Sequence, residues 1–294
     1  MNRPRPNPPK RAAVQSQSRQ LSAEVDRCID TEQWSGALSA LHRLTQLHPD
    51  AIGVYLKMAL VYQHIGKSAE AIVAYREVLK REASHLVAGN NLGNLLVQIQ
   101  RYPEAVACLK QASLHPEAGD SVLFNLAHAC SRNGDTERAL ACYETLLTRN
   151  PDVPKFRWGA LYSTPVVYKD MEEVTRVRTH WLESLERLKE RAYTATDAGP
   201  WLDNILASFY LHYACQNDGE IQRAYGNTLD AIAARVVPDL RMPLSRRRTT
   251  GRKIRVGVVS ANFNLHTVSK LFRGWFEHID AERFELTGIH VGQR

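Results

Sequence analysis

The chain has 294 residues, 44% of them hydrophobic, and a net charge of +7. That length allows two domains and a sizeable core, while the apolar runs fall far short of the roughly 20 residues that span a bilayer. Residues 1–20 hold no apolar run, so a secretory leader is not expected, and a cytoplasmic protein without a membrane partner is.

The charge is uneven. Arg3, Arg5, Lys10, Arg11 and Arg19 stand in residues 1–20 with no acid among them. Arg241, Arg246, Arg247, Arg248, Arg252, Lys253 and Arg255 crowd residues 241–255, again with no acid. The remaining body is mildly acidic. Basic segments without interleaved aromatic platforms read as solvated tail and linker, and nucleic acid is not an expected partner. Cys28, Cys108, Cys130, Cys142 and Cys215 form no C-x-x-C pair and are odd in number. They read as reduced core thiols, with no metal site and no disulfide framework.

In chain order, residues 1–20 are rich in Pro, Arg, Gln and Ser, and a disordered basic tail is expected. From residue 21 to residue 151 a period appears. Ala37, Ala71, Ala105 and Ala139 stand 34 residues apart, and Leu41, Tyr75, Leu109 and Tyr143 keep the same spacing. Met58, Leu92 and Leu126 repeat with them, each followed by a small residue: Ala59, Gly93 and Ala127. Gly66 and Gly134 occupy the turn, and Pro49 and Pro151 close their units. The pattern resembles the tetratricopeptide repeat, a helix–turn–helix unit of about 34 residues that stacks into a solenoid. At each helix crossing a small side chain lets the backbones approach, and a large one beside it fills the groove. About four units follow, over 15–49, 50–83, 84–117 and 118–151. The first is degenerate, with Glu24 at a core position and Trp34 at the turn.

Asn91 and Asn125 are also 34 apart, on the first helix of their units. Such a row can offer a donor and an acceptor to the backbone of an extended acceptor peptide lying in the repeat groove. Equally, each can bond the neighbouring repeat. Lys57 at the matching position one unit earlier breaks any longer ladder.

Residues 152–240 read as a helical bridge. Asp152 to Lys169 is expected to be irregular, Met171 to Ala192 one long amphipathic helix, Trp201 to Tyr210 a further helix, and Glu220 to Ala234 another, capped by Asn217-Asp218-Gly219. The bridge's aromatics read as core stripes before any cofactor box. A basic linker follows over 241–252.

Residues 253–294 change character. Ile254, Val256, Val258 and Val259 suit a strand buried on both faces of a parallel sheet. A polar loop with Asn262, Asn264 and His266 follows, then a helix capped by Ser269, then the strand Phe284-Glu285-Leu286. The run Lys-Ile-Arg-Val-Gly-Val-Val-Ser-Ala-Asn-Phe (253–263), His266, Val268-Ser269-Lys270-Leu271 and Phe284-Glu285-Leu286 resembles the opening of the catalytic region in the protein O-GlcNAc transferase family, in its SPINDLY-like branch. Phe209-Tyr210-Leu211-His212-Tyr213 with Asn217-Asp218 resembles that branch's bridge.

The resemblance implies a mainly α chain that ends in the first βαβ unit of a Rossmann-like α/β lobe. It implies inverting transfer of N-acetylglucosamine from UDP-GlcNAc to Ser or Thr of an acceptor protein, without a metal or other cofactor. His266 matches the family's active-site histidine, as base or as the group that orients the sugar. Lys270 stands where animal-type members carry a second histidine. The βαβ unit is expected to be an incomplete lobe, its donor-binding partner lobe supplied elsewhere, so residues 1–294 alone should not turn over UDP-GlcNAc. The rival expectation is a non-catalytic tetratricopeptide scaffold for protein–protein interaction. No phosphate-binding glycine loop, nucleophile elbow or zinc motif competes.

Overall fold

The computed structural model describes residues 8–165, 167–203, 205, 209–241, 253–261 and 267–291. The chain divides into two compact units, Met1–Leu240 and Arg241–Arg294.

The repeat region folds as helix pairs. Helix α1 (Pro8–Asp30) packs on α2 (Trp34–Leu47), α3 (Ile52–His64) on α4 (Ser68–Arg81), α5 (Leu86–Gln98) on α6 (Tyr102–Ser113), and α7 (Asp120–Arg132) on α8 (Thr136–Arg149). Each pair also packs on the next, through α2 with α3, α4 with α5, and α6 with α7. Ala37, Ala71, Ala105 and Ala139 are each 0% exposed, as close helix crossings require. The turn between paired helices needs one left-handed residue. Gly66 (φ 75°) and Gly134 (φ 82°) supply it, and at the same place in the other units Glu32 (φ 55°) and Gln100 (φ 62°) adopt it despite their Cβ atoms.

Gly93 fits the branched Leu109, whose Cγ lies where a Cβ at position 93 would stand. In the neighbouring units the same two positions hold Ala59 with Tyr75 and Ala127 with Tyr143. Gly93→Ala is therefore expected to destabilise. Overpacking costs about 1–3 kcal/mol, against about 1 kcal/mol gained in helix propensity. Adding Leu109→Tyr should recover most of the loss in urea titrations, and a double variant no better than the single would exclude this pairing rule.

Two expectations fail in this unit. Residues from Pro8 onward are helical, not a disordered tail: α1 opens on Pro8, a residue tolerated in a first helical turn. Ala12, Ala13 and Gln15 continue it with good helix formers. Ser18 Oγ lies 2.6 Å from His48 Nε2, and Leu21 and Val25 bury against the repeats. The stretch 152–169 is not wholly irregular either. Pro154–Tyr162 forms α9, again with proline in its first turn.

Helix α9 belongs to two cores. Phe156 and Ala160 pack into the repeat core, while Trp158 and Leu161 join a second cluster with Trp181, Leu185, Leu188, Trp201, Leu211, Ile221, Tyr225 and Ile232. Phe156 and Ala160 share one face by i, i+4 spacing, and Trp158 and Leu161 share another by i, i+3. The second cluster is built by α10 (Met171–Thr194) and α11 (Gly219–Val236). Asp170 caps α10 by accepting from the Glu173 amide at 2.8 Å, and Glu173 reaches back to the Lys169 amide at 2.7 Å. Arg235 donates to the carbonyls of Ala192 and Ala195 at the other end of α10.

Residues 204 and 206–208 of the helix expected over 201–210 lie outside the described residues; between α10 and α11 the described residues form 3-10 turns at Gly199–Trp201 and Phe209–Ala214. The first of these holds the Trp201 carbonyl against the Trp158 indole N–H at 2.8 Å. Asp218 stands at the start of α11 but makes no capping bond there; its carboxylate pairs with Arg178 of α10.

In the second unit, β1 (Ile254–Ser260) and β2 (Phe284–His290) pair in parallel, from Ile254 with Phe284 to Ser260 with His290. Helix α12 (Thr267–His278) lies between them in sequence. It begins before Ser269, which is thus inside the helix and not its cap. Ile254 is 55% and Val259 60% exposed, so β1 is not covered on both faces as expected; two strands cover little of each other's faces.

Candidate peptide-binding face

The candidate site is the layer of first helices, α3, α5 and α7. Helix α5 packs directly on α7 as well as on its own partner α6, so these two first helices form a continuous surface. Asn90, Asn91 and Asn94 lie on α5 and Asn125 on α7.

Both sequence-predicted asparagines reach back to the preceding unit. The Asn91 side chain lies beside the Tyr75 hydroxyl, which donates to Gln63 Oε1 at 2.8 Å. Burial pushes the Tyr75 phenol up, and the nearby Asn91 amide offsets part of that. One unit on, Leu109 stands where Tyr75 does and offers no hydroxyl. Asn125 turns instead to Asn90, donating from Nδ2 to Oδ1 at 2.8 Å. Each amide still has polar groups beyond these contacts, and Asn94 is exposed beside them. Lys57, at the matching position on α3, is held by Asp26 at 2.5 Å.

No acidic side chain sits among the residues of α5, and α7 carries one acid, Asp120, at its start. Cationic groups line the ends. Arg132 stacks over Tyr102, 5.4 Å from the ring centre, and donates to its hydroxyl at 3.0 Å. His64 packs on Trp34 at 4.3 Å, the same two repeat positions two units earlier. Lys155 of α9 lies over Phe124 of α7 at 5.0 Å.

The aromatic residues of the bridge are structural. Trp158 stacks on Tyr162 at 5.6 Å and meets Tyr225 edge-on at 6.2 Å, while Trp181 packs on both tyrosines at 5.8 and 6.1 Å. Trp158 and Trp181 are 1% and 2% exposed, which makes this set core and not a cofactor box. Burial pushes the Cys108 and Cys130 thiols up to about 11, so both stay protonated and inert at neutral pH. Among the described residues no cluster of His, Cys, Asp or Glu can hold a metal ion, and no helix is long and apolar enough to cross a membrane. His266, with Asn262 and Asn264, lies outside the described residues.

Family models of the tetratricopeptide repeat match residues 56–118 and 121–153. Among solved structures, a crystal structure of MamA protein is similar at 16% identity, covering 62% of this chain and 97% of that one, with a TM-score of 0.51. A MamA from Desulfovibrio magneticus RS-1 matches at 16% identity over 61% of this chain and 98% of that one, TM-score 0.49. YrrB, described as a TPR protein with an unusual peptide-binding site, matches at 17% identity over 57% of this chain and 82% of that one, TM-score 0.49. At such identities the first likeness establishes the fold alone: a helical repeat solenoid. A comparison with curated proteins returned no match.

Proposed function

We propose that this protein is an interaction scaffold whose repeats hold an extended segment of a partner protein across α3, α5 and α7. The observation that carries the reading is the run Asn90, Asn91, Asn94 and Asn125 on adjoining first helices, with amide groups left over from the inter-repeat contacts. Such groups grip a peptide backbone with little dependence on its sequence. Exposed Leu60 and Val87 on α3 and α5 give its side chains apolar contact.

The test is a displayed library of random 12-residue peptides, panned on the purified protein. Selected peptides should bind the Asn94→Ala/Asn125→Ala variant about tenfold more weakly by fluorescence anisotropy, which is roughly 1.4 kcal/mol for lost hydrogen bonds. Because Asn94 is exposed, Asn94→Ala alone should leave the melting temperature in place. Failure to select any binder, or undiminished affinity in the double variant, would refute the reading.

A second reading adds catalysis. The motif over 253–290 resembles the protein O-GlcNAc transferase family, and the parallel pairing of β1 with β2 is of the kind a Rossmann-like lobe uses. In that reading the repeats present the acceptor protein, a further lobe completes the UDP-GlcNAc site, and His266 takes the acceptor proton or orients the sugar. The comparisons match the repeat region and lend this reading no support. It is tested in a form of the protein that carries the further lobe: His266→Ala should reduce sugar transfer well beyond tenfold, a barrier change above about 1.4 kcal/mol.

A further inference from the structure

The strongest feature outside that face is a groove of about 330 Å³ on the other flank of α3. Its floor is Tyr55, Met58 and Tyr62 of α3, and its walls are His42 of α2 and Glu70, Val73 and Ala74 of α4. Tyr55 stands two residues from Lys57 and Tyr62 two from Leu60, about 200° around the helix, so this groove and the asparagine face are separate. The lining is almost wholly apolar, and Val73 is 63% exposed at its lip.

The repeat itself shows what belongs there. One unit on, the positions of His42 and Glu70 are held by Arg76 and Glu104, which form an ion pair at 2.7 Å between α4 and α6. The arginine spans the junction, and the smaller Gly89, Leu96 and Ala107 replace Tyr55, Tyr62 and Val73 beneath it. At the first junction that bridge is missing. His42 Nε2 is turned onto the Tyr62 hydroxyl at 3.1 Å. Glu70 forms no ion pair among the described residues, while its neighbour Glu77 is taken by Arg81 at 2.6 Å. Glu70 lies near enough to the Tyr62 phenol to add to burial in raising its pKa. The first junction is an apolar trough edged by a carboxylate, in the first turn of α4, that has no ion-pair partner among the described residues.

We propose that this groove docks a segment of a partner protein that sets an arginine or lysine on Glu70 and an adjoining aromatic or large aliphatic side chain over Met58 and Val73. The partner's cation takes the place that Arg76 fills one unit on. Its apolar neighbour covers the surface that the larger floor and open lip expose. The acidic edge disfavours a phosphate-bearing ligand, and the proposal does not rest on the peptide reading of the asparagine face.

The probes are acetyl-Trp-Arg-amide and its charge-reversed counterpart acetyl-Trp-Glu-amide, titrated into the methyl-labelled full chain by NMR. The arginine peptide should shift the Met58, Val73 and Ala74 methyls and bind about fivefold more tightly than the glutamate peptide, as expected for one partly exposed ion pair. Glu70→Lys should reverse that preference. His42→Arg should supply an internal arginine for Glu70 and weaken docking, while Val73→Asp should abolish it with the fold retained. Equal binding of the two probes, shifts outside the groove, or no saturable shift would overturn the proposal. So would a concentration-dependent dimer lost in Val73→Asp, which would assign the groove to a second copy of the chain. Peptides selected on the asparagine face should bind all three variants normally, which separates the two sites.

Discussion

Trp158→Ala should cost about 4–5 kcal/mol, and the loss should fall on the bridge before the repeats. The indole is 1% exposed, and truncation removes it from between Tyr162 and Tyr225. Large-to-small changes of buried tryptophan cost about 3–5 kcal/mol. The Trp201 carbonyl also loses its donor, which adds about 1 kcal/mol. Because Trp158 belongs to the second core and Phe156 to the first, hydrogen exchange should show α10 and α11 losing protection while α3 to α8 keep theirs. Uniform loss along the chain would mean that the two cores unfold as one. Phenylalanine substitutions separate packing from hydrogen bonding. The buried Trp181 indole N–H has no partner among the described residues. Trp158→Phe should therefore cost about 1 kcal/mol more than Trp181→Phe, and equal costs would deny the Trp158–Trp201 bond a role.

The contrast between those two cores also explains what the sequence made legible. The repeat core rests on contacts within and between units of fixed length, so each contact recurs 34 residues later and the period survives substitution. Helix α9 continues the series in space, but its signature is inverted. Ala160 and Leu161 stand 34 residues after Leu126 and Ala127, small before large where the repeat has large before small. That swap lets one short helix serve two cores, and it hides the helix from a search for the period. The prolines around it argued for a break, yet Pro154 sits in the first turn, where no amide donor is needed. The asparagine pair was visible as a pair. Its inter-repeat contacts differ because Tyr75 gives way to Leu109, a difference the spacing alone did not weigh. The His42–Glu70 groove carries no periodic signal of its own; it shows only when His42 is aligned with Arg76 and Glu70 with Glu104, which exposes the lost bridge. Asp218 was beyond reach for another reason: it looks like a helix cap in sequence, and only the approach of α10 makes it an ion-pair partner.

That ion pair is the second place where a large effect is expected. Arg178 sets one guanidinium nitrogen on the Asp218 carboxylate and the other on the Asn217 carbonyl at 2.6 Å, tying α10 to the start of α11. The Asp218 side chain is 7% and the Arg178 side chain 20% exposed. Pairing at that depth offsets desolvation and adds little net stability, but removing one partner strands the other. Arg178→Ala should cost about 3 kcal/mol, the low end for a buried pair, because Asp218 keeps the favourable field of the α11 N-terminus. Arg178→Met with Asp218→Ala should cost less than Arg178→Ala alone, since the pair is then replaced by apolar groups and no charge is left buried. Urea titrations of the three proteins give the coupling directly. A cost below about 1 kcal/mol for Arg178→Ala would place the pair with exposed surface bridges, and α11 would then be held by Tyr225, Ile221 and Ile232 without help from the charge.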